Sequence, residues 1–156
     1  MARPETAVAI RLVVLAALAG ITTLTACSSS MKYTYDPGVN FSGPKTYQWA
    51  AQPLYSSSQD SLMEANVRFY ADKDLEAKGW TKSEQAEIVF SINDNYPYYS
   101  SYESRWVLTQ LELRAVRRGD GKAVWRGAAS GNIDTSATSS ELRDAVNGIM
   151  SSFPPK

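Results

Sequence analysis

The chain has 156 residues, with 16 Lys+Arg against 16 Asp+Glu, one Cys and no His. The length suits a single domain, and a balanced charge gives no electrostatic reason to expect a nucleic-acid partner. The missing His excludes Ser-His-Asp and Cys-His nucleophilic pairs and every His-ligated zinc or iron site, and one Cys closes no intramolecular disulfide.

The N-terminus carries Arg3 and Arg11, then an uncharged run of thirteen residues from Leu12 to Leu24. That run is short for a membrane-spanning helix, which needs about 20 apolar residues, and it suits the apolar core of an export signal. Leu24-Thr25-Ala26-Cys27 then resembles the lipobox of bacterial lipoproteins. The resemblance implies a signal peptide over 1–26, cleavage between Ala26 and Cys27, and diacylglycerol on the Cys27 sulfur. It usually implies a further acyl chain, such as palmitate, on the new amino group. Ser28, where Asp would retain the protein at the inner membrane, implies the outer membrane, with the domain facing the periplasm. Residues 27–30 are the lipidated Cys and a short tether. The mature chain then has 130 residues with 14 cationic and 15 anionic side chains.

Residues 31–156 read as one domain. Met31 to Asp36 alternate as a strand, Pro37-Gly38 marks a turn, and Lys45 to Trp49 is a second short strand. A helix is predicted from Ser61, opening on the capping box Ser61-Leu62-Met63-Glu64, to Lys78. Met63, Val67, Tyr70, Ala71 and Leu75 fall near one of its faces. Gly79 stands at the C′ position, so Leu75 and Trp80 become the Schellman hydrophobic pair. Ala86, Ile88, Phe90 and Ile92 form one apolar face of a strand, and strand–helix–strand predicts a parallel crossover. Trp106 to Arg117 reads as a long strand with Val107, Leu111 and Leu113 on one face. The Asp120-Gly121 signal turns it antiparallel into Ala123–Ile133. A last helix follows the capping box Thr138-Ser139-Ser140-Glu141, its stripe running through Leu142, Ala145, Val146, Ile149, Met150 and Phe153 to Pro154-Pro155. The order β-β-α-β-β-β-α predicts a two-layer α/β fold. Its sheet is mixed, mostly antiparallel, of four to five strands, with two helices on one face.

Five segments resemble domain-of-unknown-function family 4136, a bacterial lipoprotein family. They are Asp36 to Phe41 with Lys45-Thr46-Tyr47-Gln48-Trp49, Leu75 to Trp80, Ala86 to Val89, Val124-Trp125-Arg126-Gly127, and Phe153-Pro154-Pro155. The resemblance spans 31 to 155 and implies no activity, cofactor or catalytic residue.

Chemical motifs are few. Ser42-Gly43-Pro44-Lys45 spells S-x-x-K, but Gly-Pro breaks the helical turn that motif needs. Ser130 has no His to activate it, and Asp72-Lys73-Asp74 reads as a solvated helix face. Asp94 and Glu103 could serve a carboxylate-dependent hydrolase, given a suitable separation. Tyr96, Tyr98, Tyr99 and Tyr102, within seven residues of expected loop, suit sugar stacking, a protein interface or headgroup-level membrane contact; the plain alternative is a flexible loop, or a long hairpin whose rings cover the sheet edge. Trp49, Trp80 and Trp125 are expected in or near the core. The expectation is a non-enzymatic envelope protein without cofactor, attached to the membrane through lipid on Cys27. An envelope protein or peptidoglycan would be its partner, the latter making it a cell-wall glycan-binding module.

Overall fold

The computed structural model describes residues 29–155 except 44, 52–57, 95–97 and 137–138, with all their side chains but those of 58–61 and 94. The elements in chain order are β1 (Ser30–Tyr35), β2 (Thr46–Trp49), α1 (Ser58–Ala77), β3 (Thr81–Lys82), β4 (Ile88–Asp94), β5 (Tyr98–Ser100), β6 (Arg105–Arg117), β7 (Ala123–Asp134) and α2 (Glu141–Met150). The fold is α/β, with one mixed, mostly antiparallel sheet ordered β1-β7-β6-β4-β2-β3 and β5 paired to β6. Among the described residues the sheet has seven strands rather than four to five. The two additions, β3 and β5, are two and three residues long, too short to show a period, and exist through pairing with β2 and β6.

The parallel crossover is present, with β2 paired to β4 from Tyr47↔Ile88 to Trp49↔Phe90. Helix α1 between them buries Met63, Val67, Ala71 and Leu75, spaced four apart so that one stripe faces the sheet. Its end is the predicted Schellman motif. Trp80 N–H donates to Leu75 O (2.9 Å), Gly79 N–H donates to Glu76 O (2.9 Å), and Gly79 has φ +80°. Its start differs, because α1 begins at Ser58 and Ser61 lies inside the first turn rather than capping it.

The stripe of α2 is as expected, with Leu142, Ala145, Val146, Ile149 and Met150 all buried. Thr138, the cap residue of the predicted box, lies outside the described residues. Ser140 occupies the N-cap in αR geometry without a side-chain bond, and Ser139 Oγ accepts the Glu141 N–H (3.1 Å). The Glu141 carboxylate accepts from Arg105 Nη1 and from the Asp134 N–H (2.9 Å).

Both helical stripes join one hydrophobic cluster with the sheet. Phe153 sits at its hub, its ring 5.0–5.5 Å from those of Phe41, Trp80, Phe90 and Trp125. Lys78 fastens this segment to the end of α1, donating to the carbonyls of Met150 and Phe153, and burial lowers its pKa. Gly127 lets α2 close on the sheet. A Cβ there would lie 2.6 Å from the Trp125 ring and 2.8 Å from Ile149. In β6 the expected face breaks. A register shift separates Leu108 from Gln110, Leu108 joins the cluster with Leu111 and Leu113, and the buried Val107 lies outside it. The irregularity changes which residues face the core.

Candidate functional site

Strand β5 resumes the register of β4 along β6. Asp94 pairs with Leu111, and further along Tyr98, Tyr99 and Ser100 pair with Val107, Trp106 and Arg105. Tyr98–Ser100 are therefore the far arm of a β-hairpin, the alternative to a loop that the sequence left open. Tyr98 and Tyr99 stand in its strand and Tyr102 in its turn, while Tyr96 lies outside the described residues. Tyr98 and Tyr99 are half exposed, and Tyr102 is 97% exposed.

Trp106, 39% exposed, belongs to the same patch. Directly across from Tyr99, it meets that ring edge-to-face at 5.8 Å between centroids. Such a pair adds about 0.5–1.5 kcal/mol beyond its buried area, so the tip is braced by the groups it exposes. Sequence reasoning left Trp106 out because it read as the first residue of a strand. The available signal was alternation: the neighbouring Val107 is buried, which turns Trp106 to the other side.

Arg105 fixes the base of the tip. Its Nε donates to Glu103 (3.2 Å) and its Nη1 to Glu141 at the start of α2 (3.1 Å), with Asp134 at 3.6 Å. The hydrogen bonds to Glu103 and then Glu141 raise its pKa above the ordinary guanidinium range. Partly open to water, this network sets geometry more than stability. Thr135 N–H donates to Trp106 O (3.0 Å) and ties β7 to the same point. Ser104, at φ +51°, makes the turn.

The remaining candidates do not converge. Leu111 and Arg105, the partners of Asp94 and Ser100, are six residues apart on β6, about 20 Å. Glu103 lies beyond Ser100, so Asp94 and Glu103 miss the roughly 5–9.5 Å separation of glycosidase carboxylates. Lys45 Nζ donates to Lys78 O (3.3 Å), and the Ser42 N–H donates to Asn40, so S-x-x-K forms no catalytic pair. Asp72 is not solvated: it accepts from Tyr47 Oη (2.7 Å), Trp49 Nε1 (2.8 Å) and Lys82 Nζ (2.6 Å), pinning α1 to β2 and β3. Trp80 and Trp125 are buried and Trp49 is partly buried against the core.

On the sheet face away from the cluster, Glu112 is buried under Arg114 (3.0 Å) and Arg126 (2.6 Å), so both cations are already engaged. A cleft of about 430 Å³ beside them is lined by Lys32, Thr34, Gln110, Arg126, Ala128 and Ser130. Among the described residues, no group of three acidic or Cys side chains is placed to hold a metal ion. Cys27 lies outside the described residues.

The architecture is thus a two-layer α/β domain that projects an aromatic hairpin tip. Residues 31–155 match the domain of unknown function DUF4136, and the chain belongs to that family. No curated protein matches the chain. Among solved structures it is similar to a PDZ domain protein from Parabacteroides distasonis, at 16% identity and TM-score 0.58, over 82% of this chain and 36% of that one. The chain therefore spans about a third of that protein. It is also similar to two crystal forms of the PelC dodecamer from Paraburkholderia phytofirmans, one carrying a point substitution. These share 16% and 15% identity at TM-score 0.57, over 80% of this chain and 95% and 96% of PelC. At such identities the likeness is one of fold.

Proposed function

We propose that the chain is a lipid-anchored envelope protein without catalytic activity. It is held at the periplasmic side of the outer membrane through Cys27 and makes contact through the tip of the β5–β6 hairpin. The carrying observation is the set of exposed aromatics Tyr99, Tyr102 and Trp106, with Tyr98 exposed on the opposite face of the same hairpin, on a tip locked by Arg105 to β7 and α2. Isolated exposed apolar residues are ordinary, whereas a grouped, braced set marks a contact surface. The Leu24-Thr25-Ala26-Cys27 sequence supports the anchor, since two or more acyl chains hold a protein stably to a bilayer. Mass spectrometry of the N-terminal peptide tests it: a diacylglyceryl-modified Cys27 is expected, and an unmodified Cys27 in membrane-associated protein would sink the anchor.

A second reading, recognition of peptidoglycan glycan, is favoured by the polar-tipped rings, which stack on sugar faces while their hydroxyls bond the rim. It requires that Tyr99→Ala with Tyr102→Ala abolish binding to purified sacculi.

A further inference from the structure

The strand register places the start of the domain and the aromatic tip at the same end of the sheet. Ser30 pairs with Ser130, which pairs with Gln110, so the three lie in one row. Trp106 is four residues further along β6, about 13 Å past that row, and two strand spacings, about 10 Å, to the side. At Ser29 the chain keeps this direction, for its Cα lies 3.7 Å from where a Cβ on Gly131 would sit. Gly131 is the next residue of β7 toward the tip. Cys27 precedes Ser29 by two residues, and covalent reach keeps it within about 7 Å.

From this we infer that the hairpin tip is a second membrane contact, with Tyr99, Tyr102 and Trp106 seated at headgroup level in the leaflet that holds the Cys27 lipid. The inference rests on the anchor proposed above. A domain tethered within two residues at one end of its strands presents that end to the bilayer, and among the described residues the tip reaches furthest along the strands there. Tyr and Trp are the residues that settle at membrane–water interfaces, with rings in the apolar boundary and polar atoms in the hydrated layer. Charge selects the lipid. Among the described residues, Glu103, Asp134 and Glu141 engage the one cation Arg105 in a shared network, which leaves that network no net positive charge with which to seek anionic lipid. The surface it fits is zwitterionic phospholipid.

Trp106 reports directly on this contact. The lipidated protein is reconstituted into phosphatidylethanolamine–phosphatidylcholine vesicles whose acyl chains are brominated near the headgroup. Emission from Trp106 is isolated as the difference between wild type and Trp106→Phe; Trp80 and Trp125 are buried in the domain. The expected result is loss of that difference emission in brominated vesicles, unchanged by raised salt. Undiminished emission with Cys27 shown to be lipidated overturns the tip contact and leaves the anchor standing. An unmodified Cys27 overturns the anchor and removes the premise. Loss of sacculus binding in Tyr99→Ala/Tyr102→Ala, with Trp106 unquenched by lipid, overturns the inference in favour of glycan.

Discussion

Tyr47 shows how one phenol couples three elements to pH. It is fully buried in β2 and donates to Asp72 of α1, which also holds Lys82 of β3. Burial first, then the hydrogen bond to Asp72, raise its pKa well above the ordinary 10.0. The sign follows from proton counting. Above about pH 10 the unfolded chain releases the Tyr47 proton and the folded chain keeps it, so this group's contribution is complete at neutral pH and lost as pH climbs toward the folded value. Tyr47→Phe is expected to cost about 1 kcal/mol near neutrality and to flatten the fall in stability above pH 10. Urea midpoints of both proteins at neutral and alkaline pH measure this, and parallel alkaline limbs would refute it. At Gly79 the residue effect is conformational. With φ +80° and nothing within 4 Å of an added Cβ, Gly79→Ala meets no clash and is expected to cost about 1–2 kcal/mol through the left-handed backbone alone. Thermal unfolding should register a drop of several degrees, and an unchanged midpoint would contradict it.

At the scale of elements, two glycines near α2 predict opposite outcomes. Gly127→Ala pushes a methyl into the Trp125 ring and Ile149, both fully packed, so about 1–3 kcal/mol of overpacking strain is expected. At Gly148 the crowding atom is the Met31 methyl, the far end of a side chain 40% exposed and able to swing outward. Gly148→Ala then keeps the helix-propensity gain of about 1 kcal/mol and is expected to be neutral or stabilising. Denaturant midpoints that shift the same way for both would count against this account. The elements legible in the sequence were those whose signals are local: the Leu75–Trp80 stop, the α2 stripe, the crossover around α1. Local patterns failed where a distant partner decided. Strand β5 follows Pro97 in a tyrosine-rich stretch that reads as loop or long hairpin, and only its register with β6 decides for the strand. The start of α2 at Glu141 rather than after Thr138 comes with a Glu141 carboxylate held by Arg105, 36 residues away in the chain. The tyrosines of the tip were visible as a cluster, but Trp106 and the bracing by Arg105 depend on pairings that no single segment displays.

For the whole molecule, β6 sets the long dimension, with thirteen residues spanning about 40 Å from the aromatic tip to the 118–122 turn. The tether lies toward the tip end, so the two ends of one hairpin should report opposite environments in membrane-bound protein. Tyr102→Cys and Asp120→Cys each introduce one thiol, because a lipidated Cys27 carries its sulfur as a thioether. Tyr102 is 97% exposed within the domain, so any shielding there must come from outside it. Asp120 is exposed in the far turn, where Gly121 at φ +68° carries the chain back into β7. With a membrane-impermeant maleimide added to vesicle-bound protein, Asp120→Cys is expected to label at the rate seen in detergent, and Tyr102→Cys markedly more slowly. Equal rates at both positions would mean that the domain stands clear of the bilayer. Releasing the protein by detergent should restore Tyr102→Cys labelling, which separates burial by lipid from a fold disturbed by the substitution.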